Sequence, residues 1–142
     1  MTSINGIVAR KLHLLDDTLA QLRSLGSLST QQLDDDWRTK MVVERAWQIL
    51  VEIMVDVCQH LLSVAGQTPT STGRDAIDRC VQLGVLSDFD SYRRMIQFRN
   101  FVVHMYERVD TTILVDIVNR RLVDFERFRD EVLAYADDQL GE

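Results

Sequence analysis

From Ile4 to Leu22, apolar residues return every three or four positions: Ile4, Ile7, Val8, Leu12, Leu15, Leu19 and Leu22. That spacing predicts a helix over residues 3–25 with one buried stripe. The run 25–29, Leu-Gly-Ser-Leu-Ser, ends it, and Gly26 suits the left-handed residue at which helices stop. Ser29 or Thr30 caps a second helix that reaches about Ala65, with Gly66 as its stop. Apolar residues cover most of this helix, from Met41, Val42 and Val43 through Trp47 to Val64, and leave a narrow polar stripe of Arg45, Gln48, Glu52, Asp56, Gln59 and Ser63. A helix apolar nearly all round must be covered nearly all round. One protomer of this size is too small a cover, so a homodimer is expected, joined through the long helices.

The segment Gly66–Gly73 is the main loop. A short third helix follows over 71–84, with Ala76, Ile77, Cys80, Val81 and Leu83 inward and Gly84 as its stop. Ser87 or Asp88 begins a fourth helix that runs to His104–Glu107. Asp110 caps a fifth, from Thr111 to about Asp138, whose apolar stripe includes Ile113, Leu114, Ile117, Phe125, Phe128 and Val132. Period-two alternation is not sustained anywhere, and the expected fold is all-α, an up-and-down bundle of about five helices.

Composition sharpens this reading. One proline, Pro69, and six glycines in 142 residues suit long helices, and 46% hydrophobic content suits a sizeable core. No run of eighteen uncharged apolar residues occurs, so no membrane span is expected. No secretory leader is legible either, because Arg10, Lys11, Asp16, Asp17 and Arg23 interrupt the first turns. Cys58 and Cys80 are unpaired in motif and apolar in setting, which suits buried thiols in a reducing cytoplasm. The net charge of −6 argues against indiscriminate nucleic-acid binding. Its distribution is uneven, however. Fourteen of sixteen basic residues are arginine, and residues 93–108 carry four arginines against the single acid Glu107, a local +3.

That basic window contains the densest chemistry in the chain, Arg-Asn-Phe-Val-Val-His-Met-Tyr over 99–106. On a helical wheel Tyr106 falls within roughly 20° of Arg99, and Asn100 within roughly 40° of His104. Phe98, Phe101, Val102 and Met105 gather on the opposite side, which reads as the packing face. His104 can exchange a proton near neutral pH, and Arg99 is a fixed cation of phosphate geometry. Neither paired carboxylates nor a Cys/His cluster accompanies them, so a metal-free phosphoryl transfer on RNA, with the 2′-hydroxyl as internal nucleophile, fits these groups best. From spacing alone, a boundary histidine beside a surface arginine fits as well.

The arrangement Arg99-Asn100, His104 and Tyr106 resembles the Arg-x4-His-x-Tyr motif of the HEPN superfamily, and of the HepT toxins within it. The flanks 98–110 and 42–62 resemble that family too, and the likeness spans roughly 5–135. The resemblance implies one HEPN domain over 1–142, a helical homodimer, and a cytoplasmic, metal- and cofactor-independent endoribonuclease acting on mRNA or tRNA. It implies Arg99 and His104 as catalytic, Asn100 as supporting, and Tyr106 as the site where a partner antitoxin, the minimal nucleotidyltransferase MntA, attaches AMP. The alternative from another class is a non-catalytic subunit that binds nucleotide or nucleotidyltransferase. Other candidates read as structural or peripheral. Glu52 and Asp56 could orient the motif but suit a solvated stripe; His13 and His60 suit structure or solvent. Trp37 and Trp47 suit core or dimer seam, and Arg93 and Arg94 could extend a phosphate surface. Arg120, Arg121, Arg127 and Arg129 alternate with acids as a solvated face does.

Overall fold

The computed structural model describes residues 2–104 and 111–140, with side chains for 6–98 and 111–138. Among the described residues every regular element is a helix: α1 (Thr2–Arg23), α2 (Thr30–Asp35), α3 (Trp37–Val64), α4 (Gly73–Leu83), α5 (Asp90–His104), α6 (Thr111–Asp116) and α7 (Leu122–Leu140). A π-helical turn, Ile117–Arg121, joins α6 to α7 without a break in the rod.

The expected helix ends are found where glycine was to supply them. Gly26, Gly66 and Gly84 have φ of 73°, 82° and 89°, the left-handed conformation that costs glycine least. The expected second helix differs: it is two helices, broken at Asp36. Ser29 caps the first with a reciprocal capping box to Gln32, and the Asp36 carboxylate accepts from the Thr39 N–H to start the second. A side chain that bonds the backbone locally competes with the helix ladder, and here it wins after two turns.

Helix α3 is the axis of the bundle, with α1, α2, α4, α5 and α6 all packed on it and α7 closing against α1. One contiguous core joins them, with Trp47, Leu50, Met54, Leu61 and Leu62 of α3 fully buried against leucines of α1 and aromatics of α5 and α7. Trp47 meets Phe98 and Phe125 edge-on at centroid distances of 5.8 and 5.4 Å. Tyr92 meets Phe89 and Phe128 likewise at 5.1 and 5.8 Å. Edge-to-face geometry sets the positive ring edge on the negative face, which adds to the apolar burial.

The protomer therefore covers the middle of α3 by itself, contrary to the expectation that one protomer is too small a cover for it. What stays outside is narrower: Trp37, Met41 and Val42 at its start and Val64 at its end are more than half exposed. By length and composition α3 could cross a membrane. Its apolar side instead forms the floor of this core, and its polar stripe faces out with Asp56 paired to Lys11 at 3.2 Å.

Candidate functional site

Arg99 to His104 of the motif form the last turns of α5, so what fixes α5 fixes them. At its start the Glu131 carboxylate of α7 accepts from the Ser87 N–H at 3.1 Å, the Ser87 hydroxyl at 2.6 Å, the Tyr92 hydroxyl at 2.9 Å and Arg127 Nε at 3.3 Å. Burial alone would raise the Glu131 pKa; the hydrogen bonds from Ser87, Tyr92 and Arg127 outweigh it and hold it below its ordinary value. Burial, and then the bond to Glu131, push the Tyr92 phenol well above its usual range. The Arg127 guanidinium also lies 3.9 Å from the centre of the Phe89 ring. One turn on, Ser91 donates to the buried Asp124 at 2.6 Å. Arg93 clamps Asp78 of α4 at 2.6 Å and Asp88 at 2.7 Å. Tyr92, Met95 and Ile96 are buried, and Phe98 packs on Trp47. The helix is anchored to three neighbours before Arg99 begins the motif.

The backbone of Arg99, Asn100 and His104 continues this helix, with His104 its last residue. Their side chains, and Tyr106 altogether, lie outside the described residues. The described part of α5 packs through Tyr92, Met95 and Ile96, whereas Arg94 and Gln97 are exposed. Of the expected packing face, Phe98 packs on Trp47, and Phe101, Val102 and Met105 lie outside the described side chains.

The other sequence candidates separate. Arg93 is engaged in the clamp between α4 and α5, so its charge is already matched. Arg94 is exposed and pairs with Asp90 at 2.9 Å. Glu52 lies 3.9 Å from Arg45 along α3. His13 sits at the surface, 3.5 Å from Asp17, while Nε2 of His60 is buried without a hydrogen-bond partner. Trp47 is core, and Trp37 is 64% exposed. Arg129 is less solvated than expected, pairing across helices with Asp16 at 2.8 Å. Cys58 and Cys80 are both buried; the contact with Cys80, and then burial, raise the Cys58 pKa, so Cys58 is not poised as a nucleophile. Among the described residues, no group of three His, Cys, Asp or Glu side chains gathers as metal ligands would.

Sequence reasoning missed a groove between α5 and α6, of about 210 Å³, lined by Trp47, Met95, Phe98, Ile113 and Ile117 and edged by Ser91, Arg94, Asp116 and Arg121. Two of these residues belong to the π-helical turn, a device that recurs at functional sites because it re-aims side chains within a helix. No periodicity announces such a turn, and Ile113 and Ile117 read from sequence as ordinary stripe residues.

An all-helical bundle with a basic motif on the terminal turns of one anchored helix defines a class, and comparison with known proteins identifies the family. The chain belongs to the HepT-like ribonuclease family, whose model matches residues 15–132. It is 23% identical over 133 residues to the mRNA nuclease HepT of Shewanella oneidensis, covering 92% of this chain and 99% of that protein. Its fold is that of the tri-AMPylated S. oneidensis HEPN toxin solved with its MNT antitoxin, at a TM-score of 0.81, 22% identity, and coverage of 90% and 97% of the two chains. The cytosolic protein YutE of Bacillus subtilis, of unknown function, has the same fold at a TM-score of 0.78 and 17% identity, covering 97% and 94%.

Proposed function

We propose that this chain is the toxin of a type VII toxin–antitoxin pair: a single-domain, metal-independent endoribonuclease that acts as a homodimer in the cytoplasm and is silenced by AMPylation. The observation that carries the reading is the family match over most of the chain, joined to the sequence Arg99-x4-His104-x-Tyr106, whose Arg99 and His104 lie on the terminal turns of a helix anchored to three neighbours. In the reaction, His104 accepts the proton of an RNA 2′-hydroxyl as its oxygen attacks the adjacent phosphorus. The 5′-oxygen leaves, takes up a proton from the second His104 of the dimer or from water, and a 2′,3′-cyclic phosphate remains. Arg99 stabilises the charge that builds on the phosphoryl oxygens, and Asn100 orients the histidine.

The dimer is supported by an apolar surface on the protomer, Trp37, Met41 and Val42 at the start of α3. Two motif helices meeting across a dimer cleft would join their positive windows in one trough on an acidic protein. Tyr106, near Arg99 on the wheel, is the modification site. A phosphodiester-linked AMP there adds negative charge and bulk where the RNA phosphate would lie.

The test uses purified protein and a minimal nucleotidyltransferase of the kind proposed as its partner. Arg99→Ala and His104→Ala should each abolish RNA cleavage and growth arrest. Tyr106→Phe should remain toxic in the presence of the partner, and co-expressed wild type should gain mass in steps of roughly 329 Da per AMP. Wild-type protein that binds the partner but neither cuts RNA nor arrests growth would sink the enzyme reading and favour a non-catalytic nucleotidyltransferase-binding subunit.

A further inference from the structure

The groove between α5 and α6 has the makings of a binding site that the motif does not account for. Its inner wall is Trp47, Met95, Phe98 and Ile117, and Ile113 stands at its mouth, 41% exposed. Its volume, about 210 Å³, is below the roughly 300–1,000 Å³ that a drug-sized ligand fills, and suits one flat ring system. It opens into a shallower depression of 310 Å³ beside Arg94 and Gln97. The charge at the mouth is cationic on balance. Arg94 pairs with Asp90 at 2.9 Å, and Arg120 and Arg121 share Asp116 at 3.8 and 3.5 Å. Three arginines against two carboxylates leave one positive charge in excess. All three guanidiniums are at least half exposed, so these pairs exchange readily for an incoming anion. Trp47 lines the groove floor, so its indole is placed to report on what enters.

We propose that this groove seats one nucleobase, with its phosphate on Arg94 or Arg121. Aromatic walls with arginines beside them are how proteins hold unstacked bases, because every base offers a π-face and every nucleotide a phosphate. The inference deepens the ribonuclease reading and rests on it for the source of the nucleotide. Phe98 forms the groove wall and Arg99 is the next residue on α5, so a base seated here lies beside the motif. The nucleotide is either one residue of the RNA chain or the adenylate on the motif tyrosine.

Trp37→Phe leaves Trp47 as the sole indole, so its fluorescence reports on the groove. AMP, GMP, CMP and UMP are titrated into this protein, with ribose 5-phosphate as the control. Saturable changes with nucleotides and none with ribose 5-phosphate are expected. Ile113→Glu, at an exposed position, should weaken binding at least about tenfold. Arg94→Gln with Arg121→Gln should weaken nucleotide binding while leaving adenosine unchanged, and this pair keeps the test open should Ile113→Glu misfold. Binding of several nucleotides, with Ile113→Glu altering RNA cut-site preference, assigns the seat to the substrate. Binding of AMP alone, with cut sites unchanged and silencing weakened, assigns it to the adenylate. Absence of saturation by any nucleotide, or an equal response to ribose 5-phosphate, overturns the proposal. Nucleotide binding by protein that cuts no RNA would refute the ribonuclease reading and leave the groove assignment standing.

Discussion

Glu131→Gln tests how the motif helix is held. The carboxylate side chain is 22% exposed and accepts four hydrogen bonds, from the Ser87 N–H and hydroxyl, the Tyr92 hydroxyl and Arg127. Glutamine keeps the shape, loses the charge, and turns an amide donor toward groups that are themselves donors. Charge-assisted bonds contribute about 1.5–3 kcal/mol each in favourable settings; with Arg127 half in solvent, a loss of about 2 kcal/mol is expected. Alanine should cost about 3 kcal/mol, because it also strands the Tyr92 hydroxyl inside the core. For a domain of this size each kcal/mol moves Tm by about 3 °C, so thermal unfolding followed by circular dichroism should fall by about 6 °C and 9 °C. The pH dependence makes the reasoning sharper. Glu131 titrates below its ordinary 4.5, so its contribution is complete above that value and is lost as pH falls through the depressed folded value. The Tm gap between wild type and Glu131→Gln should therefore be constant near neutrality and close below about pH 4.5. A gap unchanged down to about pH 3, or a variant within about one degree of wild type at neutrality, would refute the account.

Three further outcomes follow from the packing. Trp47→Ala should cost about 4 kcal/mol by emptying the space between Phe98 and Phe125, while Trp47→Phe should cost less than about 1.5 kcal/mol, since the indole N–H it removes was unpaired; chemical denaturation midpoints measure both. Gly84→Ala should cost about 1 kcal/mol in the same assay, all of it backbone strain at φ 89°, because an added Cβ there meets nothing within 4 Å. Trp37→Ser with Met41→Ser should shift sedimentation toward the monomer while protomer stability changes by less than about 0.5 kcal/mol; an unshifted dimer would move the seam elsewhere.

The helices were legible because their signals are local: leucine spacing in α1, and glycines at 26, 66 and 84 that the structure holds in the left-handed conformation. The break at Asp36 was missed although its signal was also local, an aspartate three residues before Thr39 at the close of an acidic run. The motif was legible as residue types at a spacing, yet what anchors its helix was not. Tyr92, Met95 and Ile96 fix α5 one and two turns before Arg99, and a window opened at Arg99 excludes them. Glu131 and Asp124 were beyond reach for a different reason. Their partners, Ser87 and Tyr92 for one and Ser91 for the other, are 33 to 44 residues away, and only folding brings them together.

The π-helical turn at Ile117–Arg121 acts on the chain as a phase shift. Before it, Leu114 faces the core; after it, Leu122, Phe125 and Phe128 do. The wider turn absorbs a residue that a regular helix would carry forward as rotation, and Asn119 within it reaches back to bond the Leu28 N–H and carbonyl at 3.2 and 2.9 Å. A chain lacking one residue here would run straight with α7 in the same phase, whereas a regular helix that kept it would turn α7 by about 100° relative to α6. Superposing the chain on a straight-helixed relative would thus require a one-residue gap inside an unbroken helix, and counting heptads across this point mislabels every position beyond it.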